Sequence, residues 1–364
     1  MERAAADLSA TALRLEGAAQ RGVEPARTQA RLEALKLLAG EVVARVEATL
    51  PRLADGGPGV AGASAKHLLA AGGKRVRPLL VVLAARAAGG PSSAEARAAE
   101  LGLAQAAELT HAATLLHDDV LDDGRVRRGV PAARVLWGNA ASVLGGDFLL
   151  VRALELAAAS RVPGALDELL GAIARMIDGE ALQLAHRGRA DLDAAAYRRV
   201  VDGKTASLFA WCGRAGARVA ARATAVEPLG EYGLRLGRAF QIVDDVLDVE
   251  GRPEALGKSV LCDLREGKLT LPVLYALEGR PSLRARLQRG AELDGEGAPP
   301  ELACELARAV ADSGGAARAR ADAARETDAA LGALAPLARE RAPGCAPYVE
   351  ALETIARELC ARVS

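Results

Sequence analysis

The sequence predicts an all-α protein, and three observations carry that reading. Alanine makes up close to a quarter of the 364 residues, while aromatics are only 2%. Ala is the best helix former because it loses no side-chain entropy, whereas sheets draw on β-branched and aromatic residues. Apolar residues recur at helical spacing in stretches broken by Gly and Pro, and alternating apolar/polar runs are short. The central stretches are apolar on most faces, as in helices buried inside a bundle.

The punctuation sets the expected elements in order. Residues 1–31 read as a polar, Ala/Arg-rich extension, followed by one large helical domain over 32–364. An amphipathic helix over 32–50 stops at Pro51, and a second ends at Gly72 and Gly73. Pro78 sits where a first-turn proline is tolerated. A long helix spans 93–123, followed by helices over 140–160, 165–187 and 194–223. Another starts near Pro228 and runs to 249, before a Gly- and charge-rich loop over 250–268. Helices resume at 269–277 and continue in pieces to the C-terminus, with 289–300 read as an exposed linker.

Composition also excludes several functions. Formal net charge is zero, which argues against nucleic acid or an anionic membrane as the main partner. No apolar run reaches the roughly 18 residues of a transmembrane helix. The N-terminal stretch MERAAADLSATALRLEG has no apolar h-region, so no secretory signal is expected. The five cysteines form no CxxC or zinc spacing, which suggests free thiols in a reducing cytoplasm.

The strongest chemical signal is a pair of aspartate clusters. Asp118, Asp119 and Asp122 form one D-D-x-x-D, and Asp244, Asp245 and Asp248 form the other. Residues i and i+4 share a helix face, so Asp118 stacks with Asp122 and Asp244 with Asp248. Carboxylates so placed repel one another unless hard cations neutralise them. Oxygen ligands at this density suit Mg²⁺, which shares its shell with substrate phosphates. One such cluster is commonly a solvated helix end; two, each preceded by an apolar helix, point to a site.

The second signal is basic. Basic residues total 47, yet only six are lysine. Four of these, Lys74, Lys204, Lys258 and Lys268, directly follow a glycine. A compact ammonium is suited to crowded phosphates and metals, which is a physical reason to keep Lys where Arg prevails elsewhere. The run Gly72-Gly73-Lys74-Arg75-Val76-Arg77-Pro78 puts three cations in a Gly-rich turn before a helix, a phosphate-binding arrangement. Arg127 and Arg128 follow the first aspartate cluster.

These residues fall in seven ordered motifs: GGKRVRP (72–78), ELTHAATLLHDDVLDDGRVRRGVP (108–131), GGDFLL (145–150), MIDGEALQ (176–183), KTASLF (204–209), YGLRLGRAFQIVDDVLD (232–248) and GKSVLCDLREGKLTLP (257–272). In this the chain resembles trans-isoprenyl diphosphate synthases of the polyprenyl synthetase family, most closely the long-chain type. The resemblance implies the isoprenoid synthase fold, antiparallel helices around a deep cavity, in a homodimer. It implies a head-to-tail prenyltransferase, in which an allylic diphosphate ionises, isopentenyl diphosphate attacks, and a proton is lost. Three Mg²⁺ ions would bridge the two aspartate clusters and the allylic diphosphate, held also by Arg127, Lys204, Lys258 and Lys268. Thr205 and Gln241 would face the carbocation. Isopentenyl diphosphate would sit on Lys74, Arg77, His111 and Arg128. Glu180, Gln183 and His117 would support the site from behind.

Product length in this family is set by side chains one turn before the first aspartate cluster, here the small Ala113 and Thr114. Each prenyl unit adds roughly one helix turn of length (~5.4 Å), so an open tunnel implies a product of about C30–C50. A short-chain farnesyl or geranylgeranyl synthase is the alternative, and a class I terpene cyclase a more distant one. The cyclase would need a different second metal motif. A catalytic subunit requiring a small partner also fits the motifs.

Overall fold

Helix follows punctuation along nearly all of the described residues. The structure is a computed structural model, and it describes residues 25–250, 262–294, 300–340 and 344–361. Lys258 and most of the expected extension lie outside the described residues.

The first helices are α1 (Pro25–Glu47), α2 (Leu50–Leu53), α3 (Gly59–Ala70), α4 (Val76–Ala87) and α5 (Ala94–Leu121). A hairpin of β1 (Val126–Arg127) and β2 (Val130–Pro131) follows, then α6 (Ala133–Trp137), α7 (Asn139–Ala159) and α8 (Ala165–Ala185). Next come α9 (Ala194–Val201), a π-helical turn (Asp202–Ala206), α10 (Ser207–Val219) and α11 (Ala223–Glu250). The remainder is α12 (Cys262–Arg265), α13 (Leu271–Leu277), α14 (Pro281–Asp294), α15 (Pro300–Ser313), α16 (Gly315–Ala333), α17 (Ala335–Glu340) and α18 (Ala346–Ala361). Side-chain caps set two starts. The Ser93 hydroxyl accepts from the Ala96 N–H at 3.1 Å ahead of α5, and Asp193 from the Ala196 N–H at 2.7 Å ahead of α9.

Some boundaries differ from the sequence reading. Helix α1 already opens at Pro25, inside the segment read as an extension, because a proline in the first turn costs no hydrogen bond. The stretch 194–223 is two helices joined by a π turn. Helix α11 starts at Ala223, with Pro228 inside it, at the loss of one backbone bond. Of the expected 289–300 linker, the part through Asp294 is helical, as the good helix formers in RGAELD allow.

Packing divides the chain into two compact units. Unit one runs to Leu170 and includes Trp211–Gly233 and Ala333–Ile355. Unit two comprises Gly171–Ala210, Leu234–Gly332 and the end of the chain from Ala356. Unit one buries Leu80, Leu83, Leu103, Leu109, Leu116 and Trp211, all with 1% exposure or less. Its polar handles are satisfied: the Trp211 indole N–H donates to the Ala165 carbonyl at 2.9 Å and the Tyr232 hydroxyl to the Leu352 carbonyl at 2.7 Å. Unit two packs Val243 and Val246 of α11 with Leu271 and Leu274 of α13, Leu306 of α15 and Ala319 of α16. Each such leucine contributes about 1.5–3 kcal/mol by leaving water.

Candidate active site

The first aspartate cluster lies at the end of α5, in unit one. His111, Thr114, Leu115, Asp118 and Asp122 are half-buried and recur at helical spacing along one face. Ala113 is on the buried side, at 1% exposure. Of the two small residues expected to limit product length, only Thr114 shares the face of His111 and Asp118. Its hydroxyl turns back to the His111 carbonyl at 2.8 Å. His117 packs on α7 at Gly146, where a Cβ would come within 2.2 Å of the imidazole.

Asp119 behaves differently from its neighbours. It is fully buried, and Arg127 pairs with its Oδ1 through Nε at 2.8 Å and a terminal nitrogen at 2.7 Å. Burial pushes the Asp119 carboxyl up, against the pull of Arg127. Its Oδ2 is buried with no hydrogen-bond partner in the described structure. Asp119 thus faces inward, and Arg127 is engaged with it.

Arg127 and Arg128 sit on the β1–β2 hairpin, which the sequence reading did not find. Its two-residue turn, Arg128-Gly129, has φ of 53° and 77°, the left-handed pair of a type I′ turn. Arg128 donates to the Gly72 carbonyl and approaches Glu108 at 3.7 Å. Burial and three neighbouring arginines lower its guanidinium pKa, against the pull of Glu108.

The three cations of the Gly-rich turn separate. Arg75 is buried, with its Nε on Glu47 at 2.6 Å, a second nitrogen on Glu108 and a third on the Leu69 carbonyl at 3.2 Å. It is a structural ion, which spacing alone did not reveal. Lys74 is exposed and Arg77 half-buried at the start of α4. Burial, then Arg77, Arg128, Arg127 and Arg75, push the His111 imidazole well below its usual pKa. His111 is therefore a neutral hydrogen-bonding group in a positive environment, suited to an anion held by the arginines.

Unit two holds the second cluster and the π turn. Gly179 of α8 and Gly203 of the turn touch backbone to backbone: a Cβ on Gly179 would meet the Lys204 nitrogen at 2.6 Å. The bulge sets Lys204 against α8, with its Nζ 2.9 Å from Gln183 Oε1 and 2.5 Å from Glu180 Oε2. Arg238 of α11 clamps Asp202, at the start of the turn, through two bonds of 2.5 and 2.8 Å. Glu180 and Gln183 thus have a definite partner. Lys268 pairs with Glu266 at 2.8 Å.

Asp244 and Asp248 are half-buried, but Asp245 is only 2% exposed. The Tyr197 hydroxyl donates to its Oδ2, and the Gln241 amide N–H donates to its Oδ1 at 2.9 Å. The Thr205 hydroxyl donates to Gln241 Oε1 at 2.8 Å. Burial and the nearby Asp263 push the Asp245 carboxyl up to about 8, against these two donors. Tyr197 was not found from sequence; an aromatic before the KT motif in so aromatic-poor a chain was the available signal.

Among the described residues, no three His, Cys, Asp or Glu side chains form a ready-made metal cage. Mg²⁺ uses one or two carboxylates and completes its shell with water and substrate phosphate. The all-oxygen donor set of the two aspartate clusters fits such an ion.

An all-α protein with two aspartate clusters and a group of arginines around His111 is equipped to handle diphosphates. Comparison with known proteins makes this specific. The polyprenyl synthetase model matches residues 60–298. The octaprenyl diphosphate synthase of Haemophilus influenzae is 43% identical over 62% of this chain and 67% of its own. That of Escherichia coli is 38% identical over 74% of this chain and 81% of its own. A polyprenyl synthase from Caulobacter crescentus, solved with calcium and isoprenyl diphosphate, superposes with a TM-score of 0.81 at 38% identity, covering 91% of this chain and 98% of that one. The chain belongs to the polyprenyl synthetase family, has its all-α isoprenoid synthase fold, and is a trans-polyprenyl diphosphate synthase.

Proposed function

We propose that this enzyme condenses an allylic diphosphate with isopentenyl diphosphate head-to-tail to give a long trans-polyprenyl diphosphate, about C30–C50. The octaprenyl synthases among its relatives and the small side chain of Thr114 support the long product. Family membership implies metal dependence. Asp118, Asp122, Asp244 and Asp248 would hold Mg²⁺, three ions in all. Bound Mg²⁺ supplies the charge neutralisation that makes diphosphate a leaving group.

The protein's own side chains do the rest. Lys204, Lys258 and Lys268 hold the allylic diphosphate. Lys74, Arg77, Arg128 and neutral His111 hold isopentenyl diphosphate. Fixing the two substrates in one orientation removes much of the entropic barrier. Thr205 and Gln241 place oxygen dipoles where positive charge develops. We assign Asp119 and Asp245, with Arg127, to positioning the outer aspartates, because their carboxylates are buried on protein donors. The released diphosphate takes the proton lost from the product.

Incubating the purified chain with farnesyl and isopentenyl diphosphates and sizing the dephosphorylated products tests this reading. Products of C30 or longer are expected; a sole C15 or C20 product would overturn the long-chain assignment. Thr114→Phe is expected to shorten the product while leaving the first condensation active. Activity of the purified chain alone would exclude an obligatory small partner.

Two exposed apolar surfaces support a homodimer. Leu170, Ile177 and Leu184 lie seven residues apart along α8, at 47%, 63% and 38% exposure. Val143, Leu144 and Val151 are exposed on α7. Light scattering should give twice the 37.5 kDa chain mass, and a monomer would refute the dimer. Among the described residues, no helix is long and apolar enough to cross a membrane. With Cys212 buried as a thiol, a cytoplasmic site of action fits; fractionation with the membranes would oppose it.

A further inference from the structure

A hydrogen-bond chain in unit two runs from Tyr197 through Asp245 and Gln241 to Thr205. Tyr197 is 5% exposed and Asp245 2% exposed, so neither can exchange these bonds for water. The Gln241 amide nitrogen cannot accept a hydrogen bond, so the Asp245 Oδ1 that it meets at 2.9 Å must be the acceptor. That fixes the amide, leaving Gln241 Oε1 turned to Thr205, whose hydroxyl donates to it at 2.8 Å. A hydroxyl has one proton and two lone pairs. With its proton committed to Gln241, Thr205 presents only lone pairs to whatever it faces.

Tyr197 secures this polarity. Its hydroxyl occupies Asp245 Oδ2. The two oxygens of Asp245 are thus divided, Oδ2 to the tyrosine hydroxyl and Oδ1 to the Gln241 amide, which holds the carboxyl plane in place. Without the tyrosine hydroxyl, Oδ2 is buried and unpartnered. The carboxyl group can then turn, the Gln241 amide can flip, and Thr205 can direct its proton outward. A hydroxyl proton aimed at a developing carbocation is repulsive, whereas a lone pair is attractive.

We propose that Tyr197 is a positioning residue for catalysis, which through Asp245 and Gln241 keeps the Thr205 hydroxyl turned as a pure acceptor toward the allylic cation. This rests on the prenyltransferase reading of Thr205 and Gln241 given above. It assigns a role to a residue whose hydroxyl acts through Asp245.

The test is a double-mutant cycle on the full chain with Mg²⁺. Tyr197→Phe keeps the ring and removes only the hydroxyl. It is expected to lower kcat about tenfold, with KM for both diphosphates unchanged within about twofold, because the interaction acts only as charge develops. In a Thr205→Val background, which has no hydroxyl to orient, the same change should cost no more than about twofold. Equal losses in both backgrounds, or an unchanged kcat in Tyr197→Phe, would overturn the proposal. Should Tyr197→Phe fail to fold by circular dichroism, Asp245→Asn, whose amide can present its N–H₂ to Gln241 and permit the flip, takes its place in the cycle with the same criteria. An inactive wild-type enzyme would instead count against the prenyltransferase reading, so the two failures are distinguishable.

Discussion

The two aspartate clusters share one sequence pattern and solve one problem in two ways. In each, the outer carboxylates, Asp118 and Asp122 or Asp244 and Asp248, are half-buried, and the inner one is almost wholly buried. Asp119 is compensated by a cation, the Arg127 guanidinium. Asp245 is compensated by the neutral donors Tyr197 and Gln241. A cation opposes the desolvation penalty by charge; at Asp245 burial and the nearby Asp263 push the carboxyl up to about 8 against its two neutral donors. The first arrangement favours a fixed charge, the second a fixed hydrogen-bond direction. That difference suits a cluster at the end of α5 beside the arginines around His111, and a cluster on α11 one turn beyond Gln241.

The contrast can be broken at several points. The largest effect is expected at the outer aspartates, where Asp118→Asn and Asp244→Asn should each reduce kcat by about 10²–10³-fold, as for loss of a principal electrostatic group. Steady-state condensation rates would show it, and a full rate from either variant would remove that cluster from the chemistry. Next is Arg127→Ala. It leaves a buried carboxylate without its cation, and urea denaturation should show a loss of roughly 2–3 kcal/mol, since the arginine itself is partly exposed. No change would mean that Asp119 finds other compensation. The smallest is Tyr197→Phe, whose stability cost should be about 1–2 kcal/mol, the price of one unsatisfied buried acceptor. A cost as large as that of Arg127→Ala would erase the distinction between ionic and neutral compensation.

Much of this was legible in the sequence, for identifiable reasons. Helical periodicity and Gly/Pro punctuation gave the helices, and the D-D-x-x-D spacing placed Asp118 with Asp122 and Asp244 with Asp248 on shared faces. Burial was not legible, because D-D-x-x-D does not say which carboxylate turns inward; that depends on the distant Arg127 and Tyr197. Arg75 looked like one of three phosphate-binding cations, yet Glu47 and Glu108, 28 and 33 residues away in sequence, hold it in the core. The π turn at 202–206 was invisible to periodicity, since the backbone contact between Gly179 and Gly203 produces it. The β1–β2 hairpin was missed because its turn uses Arg-Gly in place of the usual Asn-Gly.

The central claim is that outer aspartates serve the metal and inner aspartates serve the protein. Titrating Mg²⁺ against condensation rate in Asp118→Asn, Asp119→Asn, Asp244→Asn and Asp245→Asn tests it most directly. The outer variants are expected to raise the half-saturating Mg²⁺ concentration at least about tenfold, and the inner variants to leave it within about threefold while changing kcat or stability. Equal shifts in the Mg²⁺ requirement for inner and outer variants would contradict the account.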